Sequence, residues 1–174
     1  MQEIDVNSYR SHHTDEYSLI KKTLDDRASS LAYNFKVKFI PYPLPPIGKV
    51  ESGISTFSRY KVDSAERVKL PTPFKWPVRV ANLKRCLLVN RLPVAGTDKE
   101  LLLINLHLEA FDDGSGKAEQ TKKLKEYMDR EVEKGNYVIA SGDFNQTFSN
   151  VDTSMYPVIW DSWVAGTIDE KDIG

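Results

Sequence analysis

The sequence predicts an α/β sandwich, with mixed or mostly antiparallel sheets and helices on the outside. Three observations lead there. Segments with strand character outnumber helical ones, the two helical stretches are separated by strands, and no regular β-α-β rhythm runs along the 174 residues. That length suits one substantial domain and is short for two, so residues 1–174 are read as a single domain. The chain is 40% hydrophobic and 28% charged, which is ordinary for a soluble globular protein. Its 24 basic and 25 acidic residues leave a net charge of -1. Such a balance gives no global attraction to polyanions, so any nucleic-acid contact has to come from a local patch. Lys36/Lys38 and Lys84/Arg85 are local basic clusters, read here as solvated surface.

Taken in order, Asp15 to Leu31 reads as an amphipathic helix, with Tyr17, Ile20, Leu24 and Leu31 at helical spacing and Thr14 or Asp15 as a cap. Asn34 to Phe39 alternates apolar and polar residues, as a half-buried strand does. The segment Pro41 to Gly53 reads as a loop, because its four prolines within six residues exclude helix and central strand. Further strands are expected over Gly53–Tyr60, Glu66–Leu70, Leu83–Arg91 and Glu100–Leu108. A helix is expected over Gly116 to Lys134, burying Leu124, Tyr127, Met128 and Val132 and stopping at Gly135. Tyr137 to Ser141 reads as a short buried strand. Beyond Phe148, Val158, Ile159, Trp160 and Trp163 are candidates for additional core.

Two polar motifs stand where apolar strands run out. In Leu101 to Leu108, side chains two apart share a face. Leu102, Ile104, Leu106 and Leu108 form one apolar face, while Leu101, Leu103, Asn105 and His107 form a face that turns polar toward its end. A core histidine bonded to backbone explains His107 equally well on this strand alone. The second motif is Gly142-Asp143-Phe144-Asn145. With extended backbone, Asp143 and Asn145 face one side while Phe144 anchors the other. A carboxylate beside a neutral amide suits attack on a phosphate ester: Asp143 orients or deprotonates water, and Asn145 donates hydrogen bonds to a phosphate oxygen. An Asx-type turn is the alternative reading of this motif. Glu3 adds a carboxylate at a strand end, a form of anchor that suits Mg²⁺ with its retained waters; a solvent-exposed glutamate is the plainer reading.

Four patches in this order, Gln2-Glu3-Ile4-Asp5, Gly53 to Arg59, Asn105-Leu106-His107-Leu108 and Gly142 to Asn145, resemble the endonuclease/exonuclease/phosphatase superfamily of metal-dependent phosphoesterases. The resemblance covers essentially the whole chain. It implies a DNase I-like four-layer α/β sandwich, two packed sheets flanked by helices. It also implies that Glu3 binds a divalent metal (Mg²⁺ or Mn²⁺) and that His107 contacts the scissile phosphate. Asn105 would support that motif close to substrate. Asp143 would handle the nucleophilic water and Asn145 would hold the phosphate. Arg59, at a Ser-Arg strand end, takes a surface role with phosphate contact as the alternative.

Departures from the family pattern shape the expectation. The chain opens as if on the end of a strand and stops without a closing element, so it reads as a core fragment, with any export signal outside it. The first strand, bearing an asparagine near the metal, is missing. So is the late Asp-His pair, since the three histidines are His12, His13 and His107. His12 and His13 read as exposed loop residues, and Asp161 and the acidic residues from Asp169 to Asp172 supply no imidazole. Losing a general acid/base costs about 10²–10⁴-fold in rate, so this fragment is expected to be weakly active or inactive although its parent is a phosphoesterase. Unpaired strand edges would invite self-association. A silent binding or scaffold domain on the same fold is the competing reading. The expected substrate is a phosphate ester, with a small or lipid phosphodiester preferred to nucleic acid; Phe74, Lys75, Trp76 and Arg79 are candidates to meet it. No run is long enough to span a membrane, no signal peptide is visible, and the single Cys86 excludes an internal disulfide framework without fixing a compartment.

Overall fold

The structure, a computed structural model, describes residues 1–112, 114–148, 152–155 and 166–168. Two sheets stack face to face. The first has the order β1(Ile4–Asp5), β3(Gly48–Ser58), β2(Ala28–Ile40), antiparallel throughout. The second runs β4(Ser64–Lys69), β5(Cys86–Pro93), β6(Glu100–His107), β7(Tyr137–Asp143). Its first two pairings are antiparallel, whereas β6 and β7 are parallel. A short parallel pair, β8(Gln146–Phe148) and β9(Gly166–Ile168), stands apart from both.

Alternation along the strands explains the layering. Ala32 and Ile54 of the first sheet meet Cys86 and Leu88 of the second, and this small cluster joins the sheets. On the other face of the second sheet, Leu87, Val89, Leu102, Ile104 and Leu106, with Leu70 and Leu108, pack against Leu124 and Tyr127 of helix α2(Ser115–Glu133). Helix α1(Glu16–Thr23) lies on the outer face of the first sheet, where the Tyr17 ring stands 5.7 Å from Phe57 and its hydroxyl bonds Ser29. The order is therefore helix, sheet, sheet, helix, as expected. Among the described residues no helix is long and apolar enough to cross a membrane.

Several boundaries differ from the sequence reading, each for a physical reason. The first helix ends at Thr23 rather than reaching Leu31, and it buries no residue. Residues from Ala28 join β2 instead, because pairing along β3 supplies a ladder that a helix with no buried face cannot match. The loop expected to reach Gly53 ends at Ile47, and β3 begins at Gly48, with Gly48, Val50 and Ser52 alternately buried. In α2, Val132 is exposed and Glu131 takes the buried position, since 124, 127, 128 and 131 form the continuous helical stripe. Strand β7 is not buried on both faces: Val138 and Ala140 face α2, while Tyr137 and Ile139 are exposed. It is the last strand of its sheet, so one covered face suffices. Val158, Ile159, Trp160, Trp163, Asp161 and the acidic residues from Asp169 to Asp172 lie outside the described residues.

Candidate functional site

Three strand ends converge. In the parallel ladder His107 of β6 is level with Asp143 of β7, which places His107 Nε2 3.6 Å from Asp143 Oδ2. Gly142 makes this close pairing possible: a Cβ there would lie 2.0 Å from the Leu106 carbonyl oxygen. Strand β1 brings the third end. The side chain of Asn105 donates to the carbonyls of Ser55 and Met1 and accepts from Gln2 Nε2 at 2.9 Å. Asn105 thus clips the segment before β1 to β6, and through it sets where Glu3 stands.

Glu3 and His107 line one cavity of about 170 Å³ between the sheets, together with Arg10, Asn34, Ser52 and Arg85. Glu3 has φ 56°, a left-handed conformation uncommon for a non-glycine residue. Its carboxylate is exposed and makes no hydrogen bond or ion pair with the described residues. Asp143 meets the cavity through His107 rather than lining it, and its side chain is half exposed.

The Asp143–Asn145 segment is not extended. Asn145 has φ 52° and its backbone N–H donates to Asp143 Oδ1 at 2.8 Å, so the Asx-type turn forms. The turn still serves the arrangement. It fixes one carboxylate oxygen of Asp143 and leaves the other toward His107. Asn145 Nδ2 donates to the Leu108 carbonyl, and the buried Lys117 ammonium donates to the Asn145 carbonyl, tying the turn to β6 and α2.

His107 is buried and its pKa is lowered, first by desolvation and then by the Arg85 charge, against the pull of Asp143, Glu3 and Glu109. Its imidazole is therefore neutral at pH 7, and among the described residues its Nδ1 has no hydrogen-bond partner. Arg85 was expected on the surface and is instead 2% exposed. Burial lowers its pKa, while Glu109, Glu3 and Asp143 raise it. Lys84 beside it suggested solvent, yet Arg85 begins the alternating row Arg85, Leu87, Val89, Arg91, whose two middle members are core. That row was the available signal.

Arg59 is not brought to this cavity. It lies past the end of β3, exposed, seven residues beyond Ser52 and so about 23 Å away along an extended chain. His12 and His13 are exposed, with His13 Nδ1 2.8 Å from Asn7 Oδ1. Among the described residues no three His, Cys, Asp or Glu side chains group closely enough to hold a metal ion. Of the described residues lining the cavity, Glu3 supplies the hard, unpaired carboxylate, which fits an ion keeping most of its water shell, such as Mg²⁺, and does not fit a closed cage of the zinc type.

No family model matches the chain, and no curated protein matches it. Solved structures do. An endonuclease/exonuclease/phosphatase from Beutenbergia cavernae matches 66% of the chain at 20% identity and a TM-score of 0.51. The catalytic domain of human Nocturnin matches 88% of it at 14% identity and a TM-score of 0.52. The fold is that of the endonuclease/exonuclease/phosphatase structures. The chain spans 30% and 51% of those two proteins' lengths. The resemblance carried by the four sequence patches thus extends to the three-dimensional arrangement.

Proposed function

We propose that the chain carries the core of a metal-dependent phosphoesterase that hydrolyses phosphate mono- or diesters with an activated water. The observation that carries this reading is the 3.6 Å approach of a neutral, buried His107 to a half-exposed Asp143, beside a cavity that also holds the Glu3 carboxylate. Asp143 Oδ1 is held by the Asn145 N–H, so Oδ2 orients the attacking water and accepts its proton. Asn145 Nδ2 uses one proton on Leu108 and offers the other to a phosphate oxygen. His107, neutral and desolvated, adds a hydrogen bond to the charge that develops on phosphorus-bound oxygen. When bound, Mg²⁺ or Mn²⁺ on Glu3 supplies Lewis-acid charge neutralisation. Asn105 acts by holding the Glu3 segment against β6, so its role is positioning.

The same donor set gives a second reading some footing. A single carboxylate at the metal position, with no three-ligand group among the described residues, is what a silent binding or scaffold domain would show. A substrate panel separates the two. It should include a lipid phosphodiester, a small phosphodiester and single-stranded DNA, assayed with the complete gene product and Mg²⁺. We expect hydrolysis of at least one phosphodiester, with Asp143→Ala and Glu3→Ala each strongly impaired. Hydrolysis that survives both substitutions intact would end the assignment. Trp76, exposed beside Lys75 and just before the 3-10 turn Val78–Ala81 that carries Arg79, is suited to meet a lipid headgroup, which favours the lipid arm.

A further inference from the structure

The three most exposed large apolar side chains among the described residues are Leu44, Trp76 and Tyr42, at 86%, 83% and 77% exposure. All three stand in two proline-rich segments that border the cavity beside His107. Segment 41–47 is the turn between β2 and β3, and β2 brings Asn34 and Phe35 to the cavity wall before running on to that turn. Segment 71–84 carries Trp76, packs the 3-10 turn Val78–Ala81 against β2, and brings Leu83 to the same wall. The Lys84 N–H donates to the Asn34 carbonyl at 2.6 Å, so the two segments leave the cavity mouth from adjoining points. Charge is as uneven here as apolar exposure. Residues 35–50 and 71–84 hold Lys36, Lys38, Lys49, Lys75, Arg79 and Lys84 and no Asp or Glu, in a chain whose charges otherwise nearly cancel. Lys36 and Lys49 share Glu51. Lys38, Lys75 and Arg79 are exposed and make no ion pair with the described residues.

We infer that the 41–47 turn and the 74–80 loop form a docking surface for an anionic lipid bilayer. Tyr42, Leu44 and Trp76 enter its headgroup layer, while Lys38, Lys75 and Arg79 meet the lipid phosphates and carboxylates. Three features favour a bilayer over other occupants. Tyr and Trp join an apolar ring to a polar edge, the combination that suits a membrane–water interface. Leu44, Val78 and Val80 are exposed aliphatics, which gain by leaving water at the acyl boundary. A single-stranded nucleic acid needs flat faces for its bases to stack on, and these side chains offer none. The uncompensated cations complement the negative potential of an anionic leaflet, an attraction that acts within about a Debye length. The prolines contribute by fixing φ along the turn, so Tyr42 and Leu44 are held outward with little further ordering to be done on contact. The consequence for substrate rests on the phosphoesterase reading above: a cavity mouth held against a membrane takes its phosphodiester from the lipid.

The test is cosedimentation of the full chain with vesicles of phosphatidylcholine and phosphatidylserine in equal parts, and with vesicles of phosphatidylcholine alone, over a range of salt. It reads binding without turnover, so its outcome is separate from that of the substrate panel. We expect binding to the anionic vesicles that weakens as salt rises, and weaker binding to phosphatidylcholine. Tyr42→Ser together with Leu44→Ser should weaken it about 10–100-fold, as loss of two inserted apolar side chains implies. Lys75→Gln together with Arg79→Gln should weaken it about 10-fold and narrow the preference for phosphatidylserine. Leu19→Ser, on α1 over the outer face of the first sheet, should leave it unchanged. Every substituted side chain is exposed, so the variants are expected to fold, and circular dichroism checks that they do. Wild type that ignores both vesicles, or binding that survives both double substitutions, overturns the inference. So does tighter binding to single-stranded DNA than to anionic vesicles, or self-association without vesicles that Leu44→Ser abolishes; these identify a nucleic acid or a second copy as the occupant. Vesicle binding by a chain that hydrolyses nothing in the panel supports the docking surface and removes the hydrolase reading alone.

Discussion

Arg85, just before β5, and Arg91, near the other end of that strand, show opposite ways of placing a guanidinium against the core. Arg91 donates to Glu100 at 2.6 Å, to Glu131 at 3.2 Å and to the Tyr127 hydroxyl at 3.4 Å. Burial alone would lower its pKa, yet these partners raise it above the ordinary value. Glu131, the buried member of that group, is further met by Lys134 and Asn136. Arg85 has the reverse balance: burial dominates, its pKa is lowered, and among the described residues its Nε and Nη1 make no hydrogen bond, Glu109 Oε2 standing 3.7 Å from Nε. A cation surrounded by satisfied partners is part of the scaffold, whereas Arg85 keeps one loose ion pair, with Glu109 at 3.7 Å, beside the cavity. This contrast separates the two ends of β5 more sharply than residue type or burial does.

Each end should fail in its own way when altered. The largest effect belongs to the open end. Asp143→Ala should lower the hydrolysis rate by about 10²–10⁴-fold, while a half-exposed side chain leaves stability within about 1 kcal/mol; activity assays beside thermal melts check both. At the closed end, Glu131→Ala leaves Arg91 and Asn136 without a shared partner. It should cost about 1–3 kcal/mol in urea denaturation, since Arg91 keeps Glu100 and Tyr127 as partners, and leave the hydrolysis rate of the folded protein unchanged. An equal loss of hydrolysis in the folded variant would show that the two ends are not independent.

The pH dependence comes next and has a definite sign. The folded-state pKa of His107 is lowered, so the unfolded chain takes up a proton first as pH falls. The His107 contribution to stability is fully present above its unfolded value, near about 6.5, and is lost as pH drops from there toward the folded value. Melting temperature followed from pH 7.5 downward should fall in that window, and His107→Gln should flatten the fall. The smallest effect is expected at Val132, outside the stripe of α2: Val132→Ala should change stability by no more than about 0.5 kcal/mol.

Much of this was legible in the chain before any coordinates. The period-2 pattern of β6 separates its core face from its polar one, and the observed packing of Leu102, Ile104, Leu106 and Leu108 follows it. The stripe of α2 was readable except at Val132, where an apolar residue was preferred to a glutamate whose burial depends on Arg91, Lys134 and Asn136. Residues 24–31 misled because Leu24 and Leu31 fit helical spacing, whereas the β3 partner strand that captures Ala28 to Leu31 lies more than twenty residues away. Asp143 and Asn145 were found by type, but their turn geometry depends on the Lys117 and Leu108 contacts. Arg85 reads as surface from its neighbour Lys84 for the same reason: whether a cation is buried is decided by strands distant in sequence.

The most direct measurement is a crystal of the complete protein grown with Mn²⁺ and a non-hydrolysable phosphate analogue, examined at the manganese anomalous edge. The account predicts an anomalous peak at the Glu3 carboxylate and a phosphate group within hydrogen-bond distance of His107 and Asn145. Manganese absent from Glu3, with the analogue bound elsewhere on the surface, would contradict it.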